Sequence, residues 1–240
     1  MGHLTRERRA EVHIIKRMTT STPAPVRPAL PHSTALRGEE VLFDFEGIRW
    51  ETYELLRKDL DYTNIRLTYD RGRLVAVSPL PKHDKIKKLM ARLVECAAIE
   101  KRVPISSFGS ATWKHKELVR GLEADECYYV RREVLVRGRD DIVLPRDPAP
   151  DLAIEVDITH HPVDRLAIYA ALDVTEVWVH DGKSVQFLEL NQDGKYRPVA
   201  CSGAFPFLTP ADIDRFLAMF VGADENSVIL AFRDWLRSLQ

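Results

Sequence analysis

Residues 151–158, DLAIEVDI, alternate without a break. Asp151, Ala153, Glu155 and Asp157 fall on one side of an extended chain, and Leu152, Ile154, Val156 and Ile158 on the other. A period of two specifies a β-strand. The apolar side must lie on a core. The other side carries three carboxylates, which repel one another and are rarely buried without partners. That side is expected to face a cleft or solvent, next to a strand that accounts for the acid.

The flanking chain supplies the rest of the fold. Order is expected from about residue 41, with a short strand and then a helix from Trp50 to about Lys58. RLTYDRGRLVAVSP reads as two alternating runs around DRG, a hairpin. A Pro-rich lead-in opens a helix in which Ile86, Leu89, Met90, Leu93, Val94 and Ala97 recur at three- and four-residue spacing. PISSFGSATWK and GLEADECYYV each read as one strand, followed by a linker through RGRDDIVLPRDPAP. After DLAIEVDI come a loop, THHPV, a helix, DRLAIYAALD, and a strand, TEVWVH. SVQFLELNQDGKYRPVACS is a hairpin turning at Asp193–Gly194, and NSVILAFRDWLRSL is a last amphipathic helix. The core order helix-strand-strand-strand-helix-strand predicts an α/β (α+β) class, with one mixed sheet flanked by helices. An N-terminal hairpin and a C-terminal hairpin plus helix are added to it.

Residues 1–40 are basic and then rich in Pro, Ser and Thr. Such a segment buries too little apolar surface to offset its ordering entropy, so a tail is expected there. Residues 41–240 are expected to form a single domain. The formal net charge of −1 argues against a protein held on nucleic acid by bulk charge alone. Cys96, Cys127 and Cys201 are far apart with no CxxC, which argues against structural zinc and fits a reducing cytoplasm. No apolar run approaches the roughly 18 residues of a membrane span. The first residues lack the apolar stretch of a secretory signal.

GLEADECYYV offers a partner for the acidic face. Glu123, Asp125 and Cys127 alternate with Leu122 and Ala124. If this strand lies beside DLAIEVDI, Asp125 and Glu155 converge. Two oxygen donors on adjacent strands suit a hard cation such as magnesium, which accepts one or two carboxylates and keeps waters or phosphate oxygens. The same spacing also fits solvated strand carboxylates, or partners of Arg and Lys.

Taken in order, WETYELL, RLTYDRGRLVAVSP, His83 opening a helix, GLEADECYYV, PDLAIEVDIT and DRLAIYAALDVTEVWVHDG resemble the Uma-two family of restriction endonucleases, within the PD-(D/E)xK nuclease superfamily. The resemblance runs from about residue 48 to the C-terminus. It implies a restriction-endonuclease-like core and a Mg2+-dependent phosphodiesterase, with Mn2+ as a possible substitute. It also implies nucleic acid as substrate, DNA being expected, and a homodimer. Asp125 and Glu155 match the family's metal ligands. Arg165, four residues before Tyr169, matches a basic residue on the following helix that would stabilise negative charge. The family usually has lysine there, and proline where this chain has Ala124; Asp157 stands where the superfamily's ExK motif has its lysine. Arginine stays charged but is a poor proton acceptor. A catalytically impaired nuclease-fold module that binds nucleic acid or protein therefore competes with the enzyme, as does a small-molecule phosphohydrolase.

His83, Asp157, Tyr169 and Glu123 are accessory candidates. His83 could orient a ligand or a phosphate, or be an ordinary helix-start residue. His160 and His161 lie close to the acidic strand, but adjacent histidines usually point apart and do not form a joint metal site. Lys82, Lys85, Lys87 and Lys88 form either a solvated face or a guide for a phosphate backbone. Trp50, Trp113, Trp178 and Trp235 are expected in the core.

Overall fold

A computed structural model describes residues 41–158 and 161–239. The expected tail at 1–40, and His160, lie outside the described residues. The α+β class holds, but the strands divide between two sheets instead of forming one. The first contains β1 (Val41–Phe45), β2 (Arg66–Asp70), β3 (Arg73–Ser78), β5 (Thr112–His115) and β6 (Arg120–Glu123), in the order β1-β3-β2-β6-β5 and wholly antiparallel. The second contains β4 (Ser106–Ser107), β7 (Glu126–Tyr129), β8 (Leu152–Val156), β9 (Glu176–His180), β10 (Val185–Leu190) and β11 (Tyr196–Pro198), in the order β11-β10-β9-β8-β7-β4. Its one parallel pair is β8 with β9. A parallel pair needs a crossover, and helix α4 (Arg165–Ala171) supplies it. The other helices are α1 (Trp50–Leu60), α2 (Pro81–Glu100), the short α3 (Glu133–Val136) within the expected linker, α5 (Pro210–Met219) and α6 (Glu225–Ser238).

Two stretches expected as single strands each serve both sheets. Leu122 pairs with Thr68 and Trp113 in the first sheet, whereas Cys127 pairs with Ala153 in the second. One straight strand cannot do both, so GLEADECYYV breaks at Ala124–Asp125. PISSFGSATWK breaks in the same way. Ser106 and Ser107 pair with β7, Gly109 turns the chain at φ +54°, and Thr112 onward pairs with β6. Asp125 therefore sits in the step between two sheets and not within a strand.

All five residues of β8 are buried. Leu152, Ile154 and Val156 join α2, α5 and α6 in one core, with Leu93, Val94, Ala97, Trp178, Phe216 and Phe232. Ala153 belongs to a second core, between the two sheets and α4, with Val75, Leu122, Tyr129, Ile168 and Val177. The acidic side of this strand, expected to face a cleft or solvent, lines a cleft with Glu155 and Asp157. It faces a second protein layer, and its charges are matched there by hydrogen-bond partners and guanidinium groups. Asp151 accepts the backbone N–H groups of Val130 and Arg132 at 2.7 and 2.9 Å. Trp113 and Trp178 are buried, and Trp50 and Trp235 pack against the cores. Cys96 and Cys127 are buried free thiols, and Cys201 is an exposed one.

Candidate active site

The end of β8 and the step before β7 put two carboxylates side by side. Glu126 pairs with Ile154, so the antiparallel register carries Asp125 to the level of Glu155. The backbone ladder stops there, and the Asp125 side chain takes over. Its Oδ2 accepts the Val156 N–H at 2.7 Å. A buried N–H left unpaired is costly, so this bond fixes where the carboxylate sits. His83, in the first turn of α2, places Nε2 3.0 Å from the same Oδ2. The other oxygen, Oδ1, is in direct contact with the Arg66 guanidinium of β2. Asp125 is 2% exposed and Glu155 6% exposed, so neither is a solvated strand residue.

Glu155 is held from α4. Asp164 caps that helix by accepting the Ala167 N–H, which fixes its first turn. Arg165 then grips Glu155 with both arms, Nε to Oε2 at 2.9 Å and Nη2 to Oε1 at 2.8 Å. Tyr169, one turn on, donates its hydroxyl to Oε1. The i, i+4 relation between Arg165 and Tyr169 aims both at one carboxylate. Arg165 also donates to Thr68 Oγ1 at 2.6 Å and to the Glu123 carbonyl at 2.7 Å, tying α4 to the first sheet. It does not reach Asp125, whose cationic partner is Arg66. Burial opposes the Arg165 charge, but the adjacent Glu155 carboxylate outweighs it and keeps the guanidinium protonated. Burial, reinforced by Glu155, raises the pKa of the Tyr169 hydroxyl.

Arg66, His83, Asp125, Glu155 and Arg165 line one cleft with Thr68, Asp157 and His161. Asp157 accepts the His161 N–H at 3.1 Å. Burial, with the positive charge of Arg165, lowers His161 to about 4. Burial, with the charge of Arg66, lowers His83 as well, favouring a neutral imidazole beside Asp125. Glu123 lies in a neighbouring cleft, where burial raises its pKa. Lys87 is half-buried against Ser110 at 2.6 Å and is lowered by burial and by Arg66, while Lys82, Lys85 and Lys88 are exposed.

The donor chemistry of Asp125 and Glu155 suits a hard cation: two carboxylates, four oxygens and one cleft. Among the described residues, no group of three or more His, Cys, Asp and Glu is arranged as a metal cage. An ion here would rely on the two carboxylates, waters and substrate oxygens, which is how magnesium is usually bound. Sequence reasoning missed Arg66 and Thr68. The alternation that singled out DLAIEVDI could have found them, since Arg66 and Thr68 share one face of β2 while Leu67 and Tyr69 pack into a core with Tyr53 and Leu74.

The family model described as "Putative restriction endonuclease", Uma2, matches residues 50–217. Among solved structures, a putative nuclease belonging to DUF820 from Anabaena variabilis ATCC 29413 is similar at 13% identity and a TM-score of 0.46, covering 62% of this chain and 89% of that one. No curated protein matches.

Proposed function

The chain belongs to the Uma2 family, whose model is described as "Putative restriction endonuclease", and on that premise we propose that it is a magnesium-dependent nuclease hydrolysing phosphodiester bonds of DNA between Asp125 and Glu155. The observation that carries this reading is the pair itself: two buried carboxylates at one level of adjacent chain segments, opening on one cleft. Asp125 and Glu155 would hold the ion, with Mn2+ able to replace Mg2+. When bound, the ion supplies charge neutralisation and water activation. His83, with Nε2 3.0 Å from Oδ2, would help to orient Asp125, and Tyr169 orients Glu155. Arg165 holds Glu155 in place and contributes positive charge where the phosphate gains negative charge. Asp157, which accepts a backbone N–H in the loop after β8, shapes the cleft wall.

A second reading has a specific observation behind it. Both carboxylates are already neutralised by guanidinium groups, Asp125 by Arg66 and Glu155 by Arg165. A nuclease-fold module that binds nucleic acid or protein without cutting could keep this arrangement. Two chains acting as a homodimer would cut both strands of a duplex, and action on cellular DNA would place the protein in the cytoplasm. No helix among the described residues is long and apolar enough to cross a membrane.

Cleavage of supercoiled plasmid, linear duplex and single-stranded DNA with Mg2+ or Mn2+, against a chelator control, tests the enzyme. Wild type should cut only with the ion, and Asp125→Asn and Glu155→Gln should abolish cutting while remaining folded. Folded wild type that cuts none of these with either ion would turn the assignment to the binding module.

A further inference from the structure

Arg66 stands at a junction. It lines the cleft that holds Asp125 and Glu155, and also the neighbouring cleft lined by Arg57, Asn64, Ser110 and Glu123. Pro79 is the other described residue common to both. The guanidinium of Arg66 has a partner on each side: Asp125 within the first cleft, and Asp84, 57% exposed at its side chain, at 3.3 Å toward the second. Two further basic side chains crowd the same place, an imidazole whose pKa burial lowers and a lysine that also lies 3.8 Å from Glu126. His83 Nε2 lies 3.0 Å from Asp125, and Lys87 reaches Ser110, whose hydroxyl donates to the Asp125 carbonyl at 3.2 Å. Arg66 thus bridges Asp125 and Asp84 at once, and its Asp84 contact would remain if Asp125 were taken by another cation.

The second cleft has an opening for an anion. Arg57 lines it with its Nε buried and without a hydrogen-bond acceptor, its ion pair to Glu54 being a long 3.9 Å. Asn64, Thr63 and Ser110 add neutral polar groups of the kind that hold phosphate oxygens.

We propose that Arg66 is a cation-responsive arm: in the metal-free protein it bridges Asp125 and Asp84, and when a divalent cation takes Asp125 it keeps Asp84 and turns its freed nitrogen to a substrate phosphate in the second cleft. This rests on Asp125 being a cation ligand. A guanidinium that keeps one carboxylate when it loses the other can respond in this way, because a ligand shifts an equilibrium only by its differential affinity for the two states. Arg66 competes with the cation for Asp125, so the arm lowers the site's cation affinity. It also joins metal loading to DNA capture, because the guanidinium released by the first event serves the second.

The test uses the full chain, Mn2+ calorimetry, and binding of a fluorescent duplex oligonucleotide in Ca2+ across a salt series. Arg66→Met keeps the apolar stem and removes the charge. It should bind Mn2+ about tenfold or more tightly than wild type, the scale of losing one charged competitor. Its duplex binding should weaken, with the salt slope smaller by about one counterion. Arg66→Lys keeps a charge but cannot span two carboxylates; it should bind Mn2+ more tightly than wild type and retain the salt slope, and it carries the test should the methionine variant not fold. Wild-type Mn2+ affinity in both variants, or an unchanged salt slope in Arg66→Met, overturns the arm alone. Mn2+ binding by neither wild type nor variant overturns the cation site and the arm together.

Discussion

Arg165 donates four hydrogen bonds, two to Glu155, one to Thr68 and one to the Glu123 carbonyl. Removing one member of a buried ion pair leaves the other charge uncompensated, so Arg165→Ala should lose about 3–5 kcal/mol of stability. Arg165→Lys should recover only part of it, since an ammonium cannot reproduce the bidentate grip. Chemical denaturation measures this, and a loss under about 1 kcal/mol would show that Glu155 finds another partner. Per folded molecule, cleavage by Arg165→Ala should also fall by about a hundredfold if the guanidinium faces transition-state charge. A fall merely proportional to unfolding would leave Arg165 as a counter-ion only. His161 adds a pH signature. Its pKa is lowered to about 4 from 6.5, so the unfolded chain takes up a proton before the folded one as pH falls. Stability should therefore drop as pH falls from about 6.5 to 4, by an amount on the order of 2 kcal/mol, and not change from this source above 6.5. Parallel stability–pH curves for wild type and His161→Gln would contradict it. Glu155 could be read from the strand's period of two, whereas Arg165 and Tyr169 were implied by the family resemblance, and their four-residue spacing aims both at Glu155. Arg66 could not be paired with Asp125 in that way. The two are far apart in sequence, and their contact depends on how two sheets meet.

Helix α5 shows what went unread among the elements. Thr209 accepts the Asp212 N–H at 3.2 Å, Asp212 accepts the Thr209 N–H at 3.0 Å, and Pro210 stands at the first helical position. That box and proline mark a helix start on the sequence itself, and Ile213 and Phe216 then follow at core spacing. Thr209→Ala should cost about 1 kcal/mol, read as a lower denaturant midpoint with an unchanged slope. No change would mean that burial of Phe216 alone holds the helix. The hairpins at Arg71–Gly72 and Asp193–Gly194 were legible because a glycine turn separates alternating runs, and Arg71, Gly72 and Gly194 do take positive φ. The breaks at Ala124–Asp125 and Gly109 were not. Alternation continues across each, and only pairing with different sheets separates the halves.

At the scale of the whole molecule, the first sheet is a wall of the site and not an appendage. Arg66 and Thr68 of β2 and the Glu123 carbonyl of β6 hold the carboxylate pair from one side, and α2, β8 and α4 from the other. A chain of net charge −1, whose cleft arginines are already paired with carboxylates, has little free positive charge for a phosphate backbone. Tight DNA binding should then depend on the divalent ion, which both neutralises the pair and frees guanidinium groups. The central claim is that this ion sits between Asp125 and Glu155. Anomalous difference density from crystals of the full chain soaked in Mn2+ tests it most directly. A peak within coordination distance of both carboxylates, absent in Asp125→Asn crystals soaked alike, is the expected result. Density at other sites only, with Asp125 still on Arg66 and Glu155 still on Arg165 in the soaked wild type, would contradict it.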